Sequence, residues 1–237
     1  MRHADYGRPI AVITGATSGI GAEFARRFAE KGYDLVVTGR RKDKISQLVK
    51  DLEERYGTQV ETILCELSNP DHLDRLVRRL SEKDDIAILV NNAGFGIQRR
   101  FAESEVDGFL AMVRVHVETT VRLVHAVLPA MRRRQRGAII NVSSLMSALP
   151  APGSAVYSGT KAFLTLFSES LHMELRPDNI HIQALLPGFT RTDFHDQMLN
   201  RELETSSSRF RSRGLLRFLA PAKVVQDSLN ALKRGKV

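Results

Sequence analysis

A tyrosine and a lysine lie four residues apart in the segment Tyr157-Ser-Gly-Thr-Lys161. In a helix this spacing places both side chains on one face, one turn apart. A phenol is a weak acid, with an ordinary pKa of about 10, and a fixed positive charge nearby lowers that pKa. The pair therefore predicts a general acid/base that exchanges a proton near pH 7. The motif is weak alone, so other motifs must support it.

A glycine-rich turn, Thr14-Gly-Ala-Thr-Ser-Gly-Ile-Gly21, follows the first apolar run and precedes a helical pattern. Glycines let the backbone turn tightly and approach a pyrophosphate, and the helix N-terminus presents free N–H groups to it. This placement favours a dinucleotide-binding turn over a plain glycine-rich one. The candidate binding residues of the turn are Gly15, Thr17, Ser18, Gly19, Ile20 and Gly21.

The second apolar run ends in Val37-Thr-Gly-Arg40-Arg41, and no acidic residue follows before Asp43. Proteins that prefer NAD usually place an acid here to bind the adenosine ribose. Two guanidinium groups instead suit the 2′-phosphate of NADP, to which they donate charge-assisted hydrogen bonds. We therefore predict NADP(H) as the cofactor; the alternative is that both arginines merely open a solvated helix.

Short apolar runs alternate with amphipathic segments along the whole chain. This alternation indicates a parallel sheet covered by helices on both faces. We predict an α/β fold, a Rossmann-like doubly wound parallel sheet in a single domain over residues 1–237. The predicted strands are 10–14, 35–38, 60–64, 86–90, 138–142 and 180–186, and the predicted helices are about 19–32, 41–56, 70–82, two within 103–135, 154–176 and 221–234.

Residues 189–219 lack clean periodicity and mix arginines and serines with apolar residues. A segment of this length inside a compact domain is usually a functional lid or disordered, and we predict a substrate lid. Five apolar residues in or before the lid suggest an apolar substrate pocket. They are Met146, Leu149, Phe189, Phe194 and Met198.

Composition bounds the class of protein. The net charge of +8 would suit nucleic acid, but the basic residues are spread out and no nucleic-acid motif occurs. No apolar run approaches the ~20 residues that span a bilayer, and the N-terminus has no apolar signal core. Cys65 is the only cysteine, which suits a reducing compartment. We expect a cytoplasmic protein with a small-molecule substrate, no membrane span and no metal.

Five motifs occur in one order: the glycine-rich turn, Asn91-Asn-Ala-Gly94, Ser144, the Tyr157/Lys161 pair and Pro187-Gly188. In this order the chain resembles the short-chain dehydrogenase/reductase family over nearly its whole length. The resemblance implies that Tyr157 is the general acid/base and that Lys161 lowers its pKa and binds the nicotinamide ribose. It also implies that Ser144, rather than Ser143, holds the substrate oxygen.

The same resemblance implies further cofactor contacts. Asn91 and Gly94 resemble the turn that lines the cofactor, and Glu66, followed by Leu67, stands where the family often faces the adenine. After Pro187 and Gly188, Thr190 and Thr192 resemble residues that hold the nicotinamide carboxamide.

The chain departs from the family pattern at two places. His116 replaces an asparagine whose main-chain carbonyl helps to hold a proton-relay water; the imidazole could disturb the helix bulge, titrate, or be a plain buried residue. The chain also stops at Val237, where a seventh strand would begin, so the sheet is expected to lack that strand. The family's usual dimer face predicts a homo-oligomer, a dimer or tetramer, built on the helices within 103–135.

The function expected from these residues is an NADP(H)-dependent oxidoreductase, an alcohol dehydrogenase or carbonyl reductase acting by hydride transfer. The alternative is a catalytically weak or inactive NADP-binding protein that serves as a sensor or partner. The presence of Ser144, Tyr157 and Lys161 together favours the enzyme.

Overall fold

The computed structural model describes residues 7–192 and 218–236 of the chain. Its strands are β1 (Ile10–Ile13), β2 (Asp34–Gly39), β3 (Val60–Leu64), β4 (Ile86–Asn91), β5 (Gly137–Val142) and β6 (Ile180–Leu185). They form one sheet in the order β3-β2-β1-β4-β5-β6, and every pairing is parallel. The predicted fold class is confirmed.

The described helices connect and cover these strands. They are α1 (Gly19–Glu30), α2 (Lys42–Tyr56), α3 (Pro70–Ser81), α4 (Val106–Val113), α5 (Thr119–Arg134), α6 (Ala155–Leu175) and α7 (Pro221–Lys233). Within the described residues, no helix is both long enough and apolar enough to cross a bilayer.

Alternate strand residues supply two apolar cores, one on each face of the sheet. Ile13 of β1 points into the first core, which includes Phe24 of α1 and Val225 of α7. Its neighbour Val12 points into the second core, which includes Leu73 of α3 and Leu123 of α5. Because successive strand side chains point to opposite faces, near-continuous apolar strands require helices on both sides of the sheet.

The helical segment after β4 differs from the two separate helices predicted within 103–135. One continuous helix runs from α4 to α5, and its middle, Arg114–Glu118, is π-helical. The Thr119 N–H donates to the Arg114 carbonyl oxygen, five residues back, and the Thr119 hydroxyl donates to the same oxygen at 3.0 Å. The π-turn thus contains one residue more than an α-helical turn, and the helix continues through it without a break.

Two predictions concern the end of the chain. In the described part, β6 pairs only with β5, so β3 and β6 are the two edges of this sheet. Most of the predicted lid, residues 193–217, lies outside the described residues, as does Val237. The two described ends of the lid segment meet in a short parallel bridge between Thr190 and Leu219.

Candidate active site

A crevice opens at the carboxyl ends of the central strands, where β1 and β4 are neighbours and the connections depart to opposite sides. Such a switch point is where open parallel sheets bind ligands. Most of the predicted site residues border this crevice. They are Gly15, Thr17, Ser18, Gly19, Ile20, Arg40, Arg41, Glu66, Leu67, Gly94, Ser144, Tyr157, Lys161, Pro187, Gly188, Thr190 and Thr192.

The glycine-rich turn packs directly against the turn after β4. Gly15 has a φ of +67°, and a Cβ there would lie 2.9 Å from the Cα of Ala93. The Thr14 hydroxyl oxygen accepts hydrogen bonds from the N–H groups of Asn92 and Ala93, both at 3.0 Å. The Asn92 amide in turn donates to the Thr14 carbonyl oxygen at 2.9 Å. These bonds fix the two turns that frame the crevice as one unit.

Two predicted cofactor residues lie behind the crevice. Asn91 is buried, and its amide donates to the Asn141 side chain at 2.9 Å. Gly21 packs against Asn92 and Gly15, where a Cβ would lie 2.4 Å from the Asn92 amide nitrogen. Asn92 and Ala93, which were not predicted as binding residues, border the crevice instead of Asn91.

Two arginines line one end of the crevice, but they are held differently. The Arg41 guanidinium donates to the Thr17 hydroxyl at 2.8 Å and to the Ser18 hydroxyl at 2.7 Å, beside the N-terminus of α1. Arg40 donates to Glu66 at 3.0 Å, and both side chains of that pair are substantially exposed. Burial raises the pKa of Glu66, but hydrogen bonds from Arg40 and Ser68 outweigh it, so the pKa lies below its ordinary value.

This cationic end fits the phosphates of a dinucleotide. It combines two guanidinium groups with the free N–H groups of a helix N-terminus. Among the described residues, no group of three or more His, Cys, Asp or Glu side chains is arranged to hold a metal ion.

The other end of the crevice brings Ser144, Tyr157 and Lys161 together. Tyr157 and Lys161 share one face of α6, and the Lys161 Nζ lies 5.8 Å from the centre of the tyrosine ring. Lys161 donates to the Val142 carbonyl oxygen at 2.8 Å, which ties it to the end of β5. Ser144 follows β5 and hydrogen-bonds the Tyr157 side chain. Ser143 instead donates to the Lys161 carbonyl oxygen at 2.8 Å.

The pKa values of this pair differ from the expectation based on charge alone. Burial raises the pKa of Tyr157 above its ordinary value, and the Ser144 hydrogen bond only partly offsets this. Burial also lowers the pKa of Lys161 to about 7. Attraction between the two groups alone would favour the phenolate, but desolvation disfavours the charged form of both groups and is the larger effect here. In the protein alone, Tyr157 is therefore a protonated acid at neutral pH.

His116 lies in the π-helical segment and is 1% exposed. It contacts the catalytic end without bordering the crevice: its ring packs edge-on against the Tyr157 ring, with centroids 5.9 Å apart. Burial, followed by the nearby Lys161 charge, holds the pKa of His116 well below its ordinary value. The helix bulge is present with histidine at this position.

The predicted apolar pocket is described only in part. Met146 packs with Phe109, Met112 and Tyr157, next to the catalytic end. Phe189 and Leu149 are both exposed, and the Phe189 ring faces the Phe218 ring at a centroid distance of 5.8 Å. Phe194 and Met198 lie outside the described residues.

Some residues that line the crevice were not predicted, and they are Thr38, Gly39, Cys65, Asn92, Ala93, Phe95, Val115, Val142 and Ser143. Most of them directly adjoin a predicted motif residue. Their position next to the carboxyl end of a strand could have identified them, because each strand end in a parallel sheet exposes two or three successive residues to the same crevice.

The fold and the crevice define a dinucleotide-binding protein. A model of the short chain dehydrogenase family matches residues 9–203, and the chain belongs to that family. A very-long-chain 3-oxoacyl-CoA reductase from Laccaria bicolor is 37% identical over 179 residues, which are 74% of this chain and 53% of the relative. The chain thus spans about half of that relative's length. A human relative named inactive hydroxysteroid dehydrogenase-like protein 1 is 32% identical, over 79% of this chain and 57% of its own.

Solved structures of similar fold cover nearly the whole chain. A short-chain dehydrogenase from Sphingobium yanoikuyae in complex with NADPH has a TM-score of 0.88 and 32% identity, over 97% of this chain and 86% of its own. A bulky-bulky ketone specific alcohol dehydrogenase from Comamonas testosteroni has a TM-score of 0.84 and 30% identity, over 98% and 85%.

Proposed function

We propose that this protein is an NADP(H)-dependent oxidoreductase that interconverts an alcohol and a carbonyl compound, with Tyr157 as the general acid/base. The observation that carries the proposal is the arrangement of one crevice, with a phosphate-binding turn and two arginines at one end and Ser144, Tyr157 and Lys161 at the other. The similar ketone-specific and NADPH-bound proteins support it.

The chemistry of the reducing direction follows from the groups present. The nicotinamide, when bound, supplies the hydride, and the protein positions it. The hydroxyls of Ser144 and Tyr157 donate hydrogen bonds to the substrate oxygen, where negative charge develops. Tyr157 then gives up its proton to that oxygen. Its raised pKa keeps the proton available at neutral pH, which favours reduction of a carbonyl.

Lys161 compensates the negative charge that forms on Tyr157 when the tyrosine gives up its proton. A lysine with a pKa of about 7 is close to half protonated at neutral pH. When Tyr157 loses its proton, the phenolate stabilises the protonated ammonium beside it. The catalytic end thus couples two titrating groups, which need not ionise independently.

The preference for NADP(H) rests on Arg40 and Arg41 and on the absence of an acid at the end of β2. A homo-oligomer that uses the α4–α5 surface is part of the proposal, because Val106, Leu110, Val113 and Val121 leave apolar area exposed there. The proposed location is the cytoplasm, which suits the free thiol of Cys65 and is tested by cell fractionation.

The test is NADPH oxidation with a panel of apolar ketones, comparing the wild type with Tyr157→Phe. We expect turnover by the wild type and a loss of about 10²–10⁴-fold in kcat in the variant, since a positioned acid contributes that much. NADPH binding should be unchanged, because the ring is retained.

A second candidate is a catalytically inactive NADP-binding protein, which the relative named as inactive favours. Tight NADPH binding without turnover of any carbonyl compound, and no difference between the wild type and Tyr157→Phe, would support this second function and contradict the first.

A further inference from the structure

The His116 side chain joins two elements that border the crevice. The Phe95 N–H, in the turn after β4, donates to His116 Nε2 at 3.2 Å. His116 Nδ1 lies 2.8 Å from the hydroxyl oxygen of Thr160, which lies on α6 between Tyr157 and Lys161. One imidazole therefore spans from the turn beside the cofactor end to the helix of the catalytic end.

The hydrogen bonds allow only one form of this ring. Because Nε2 accepts from Phe95, the proton of the neutral ring is on Nδ1 and is donated to Thr160. The Thr160 hydroxyl then donates to the Tyr157 carbonyl oxygen at 2.8 Å. A second proton on Nε2 would face the Phe95 N–H, donor against donor. Both nitrogens are engaged, so neither is left to exchange protons with the crevice.

Gly94 depends on this ring. A Cβ at Gly94 would lie 2.7 Å from His116 Nε2, and the three nearest atoms to it all belong to His116. The φ of Gly94 is not in the left-handed region, so the imidazole, rather than the backbone, excludes a side chain. The ring has little room to move, because it is held at both nitrogens and packed against Tyr157 and Phe95.

We propose that His116 is a positioning residue that couples the turn after β4 to the helix that carries Tyr157 and Lys161. This inference rests on the proposed function, since it assigns the Nε2 bond to cofactor binding and the Nδ1 bond to proton transfer. The bond from Phe95 fixes a turn that borders the cofactor crevice and therefore controls cofactor affinity. The bond to Thr160 fixes the first turn of α6 and therefore controls proton transfer by Tyr157.

Two substitutions separate the two bonds. An asparagine amide reaches the place of Nδ1 and keeps the donor to Thr160, whereas a glutamine amide reaches the place of Nε2 and keeps the acceptor for Phe95. Each lost hydrogen bond to a buried group is expected to change the quantity that depends on it, the NADPH Kd or kcat, by about tenfold. We expect His116→Asn to raise the NADPH Kd about tenfold with little change in kcat. We expect His116→Gln to lower kcat about tenfold with little change in the NADPH Kd.

Thr160→Val is the matched variant at the helix end. It removes the bond to His116 and also the bond from the Thr160 hydroxyl to the Tyr157 carbonyl oxygen, so it should lower kcat at least as much as His116→Gln does. The combination of the two should cost no more than Thr160→Val alone, because the bond that His116→Gln removes is already absent there. Additive losses would contradict the coupling through Thr160.

The Gly94 contact gives an independent test by suppression. Gly94→Ala in the wild type should raise the NADPH Kd by at least about tenfold, because overpacking a filled site displaces the turn. The asparagine lacks the Nε2 atom at 2.7 Å and keeps only an amide branch near the place of Cδ2, at 3.2 Å, so Gly94→Ala should add a clearly smaller loss in the His116→Asn background than in the wild type. A loss of equal size in both backgrounds would overturn the dependence of Gly94 on His116.

The outcomes also separate this inference from the proposed function. NADPH Kd values come from fluorescence titration and need no turnover, so they test the Phe95 bond and the Gly94 contact even in an inactive protein. If the wild type turns over no carbonyl compound, the proposed function fails, and the Kd pattern still decides whether His116 holds the turn after β4 through the Phe95 bond. If both His116 variants lose affinity, kcat and thermal stability in parallel, the residue is merely structural and the coupling is overturned.

Discussion

Replacing Arg41 by alanine should weaken NADPH binding more than replacing Arg40. The two side chains begin from different states. Arg41 is already fixed beside the phosphate-binding turn by the hydroxyls of Thr17 and Ser18, so it loses little side-chain entropy when an anion binds. Arg40 is paired with Glu66 at the surface and must leave or share that partner.

The expected magnitudes follow from these contacts. A charge-assisted hydrogen bond from Arg41 to a 2′-phosphate is worth about 1.5–3 kcal/mol, so Arg41→Ala should raise the NADPH Kd by about 10–150-fold. Arg40 is exposed and would exchange one exposed ion pair, with Glu66, for another with the phosphate, and an exposed ion pair is worth about 0–1 kcal/mol. Arg40→Ala should therefore raise the NADPH Kd by less than about fivefold.

The assay is a fluorescence titration of each variant with NADPH and, separately, with NADH. NADH has no 2′-phosphate, so its Kd should change by less than about threefold in both variants. Arg55→Ala, on the last turn of α2, is the control for a general loss of positive charge. Equal losses of NADPH and NADH affinity in Arg41→Ala, or a larger effect of Arg40→Ala, would refute this account of cofactor preference.

Three further perturbations have signs that the structure determines. Thr14→Val should lower the unfolding free energy by about 1–3 kcal/mol in urea denaturation, because it leaves the Asn92 and Ala93 N–H groups without an acceptor. Thr14→Ser keeps the hydroxyl and should retain most of that stability, and a valine variant as stable as the wild type would contradict the role of this hydroxyl. The buried Lys161 has a pKa of about 7 against an ordinary 10.5. Between pH 7 and pH 10.5 the lysine is therefore protonated in the unfolded state but not in the folded state, so the unfolding free energy should rise with pH. Lys161→Met should remove that rise, and a variant with the wild-type dependence of stability on pH would argue against a depressed lysine pKa. Leu110→Glu on the exposed face of α4 should convert an oligomer to monomers in light scattering, whereas a wild type that is monomeric at all concentrations would contradict the proposed α4–α5 interface.

Periodicity predicted nearly all of the fold. The strands were placed to within one or two residues, because a buried parallel strand is a short apolar run with little else in it. The junction at Arg114–Glu118 was not predicted as a continuous helix, since a π-turn changes the apolar period by one residue and imitates the boundary between two helices.

The candidate site was predictable where a motif names the residue, as at Tyr157, Lys161 and Ser144. The site was less predictable from the sequence where burial determines the pKa of a side chain. The raised pKa of Tyr157 and the lowered pKa of Lys161 depend on how deeply α6 packs, and sequence spacing contains no measure of that. The same holds for Asn91 and Asn92, adjacent identical residues of which one points into the protein and the other binds the neighbouring turn.

The π-helical segment between α4 and α5 also constrains which changes in chain length the protein tolerates. One residue rotates a helix by about 100°, and α4 and α5 each present a separate buried face, with Phe109 and Met112 on one and Leu123 and Val127 on the other. Deleting a single residue from Arg114–Glu118 would restore a regular α-helix but turn these two faces out of phase. Length variation among homologous chains should therefore be suppressed here, although a uniform α-helix would be the locally more regular structure.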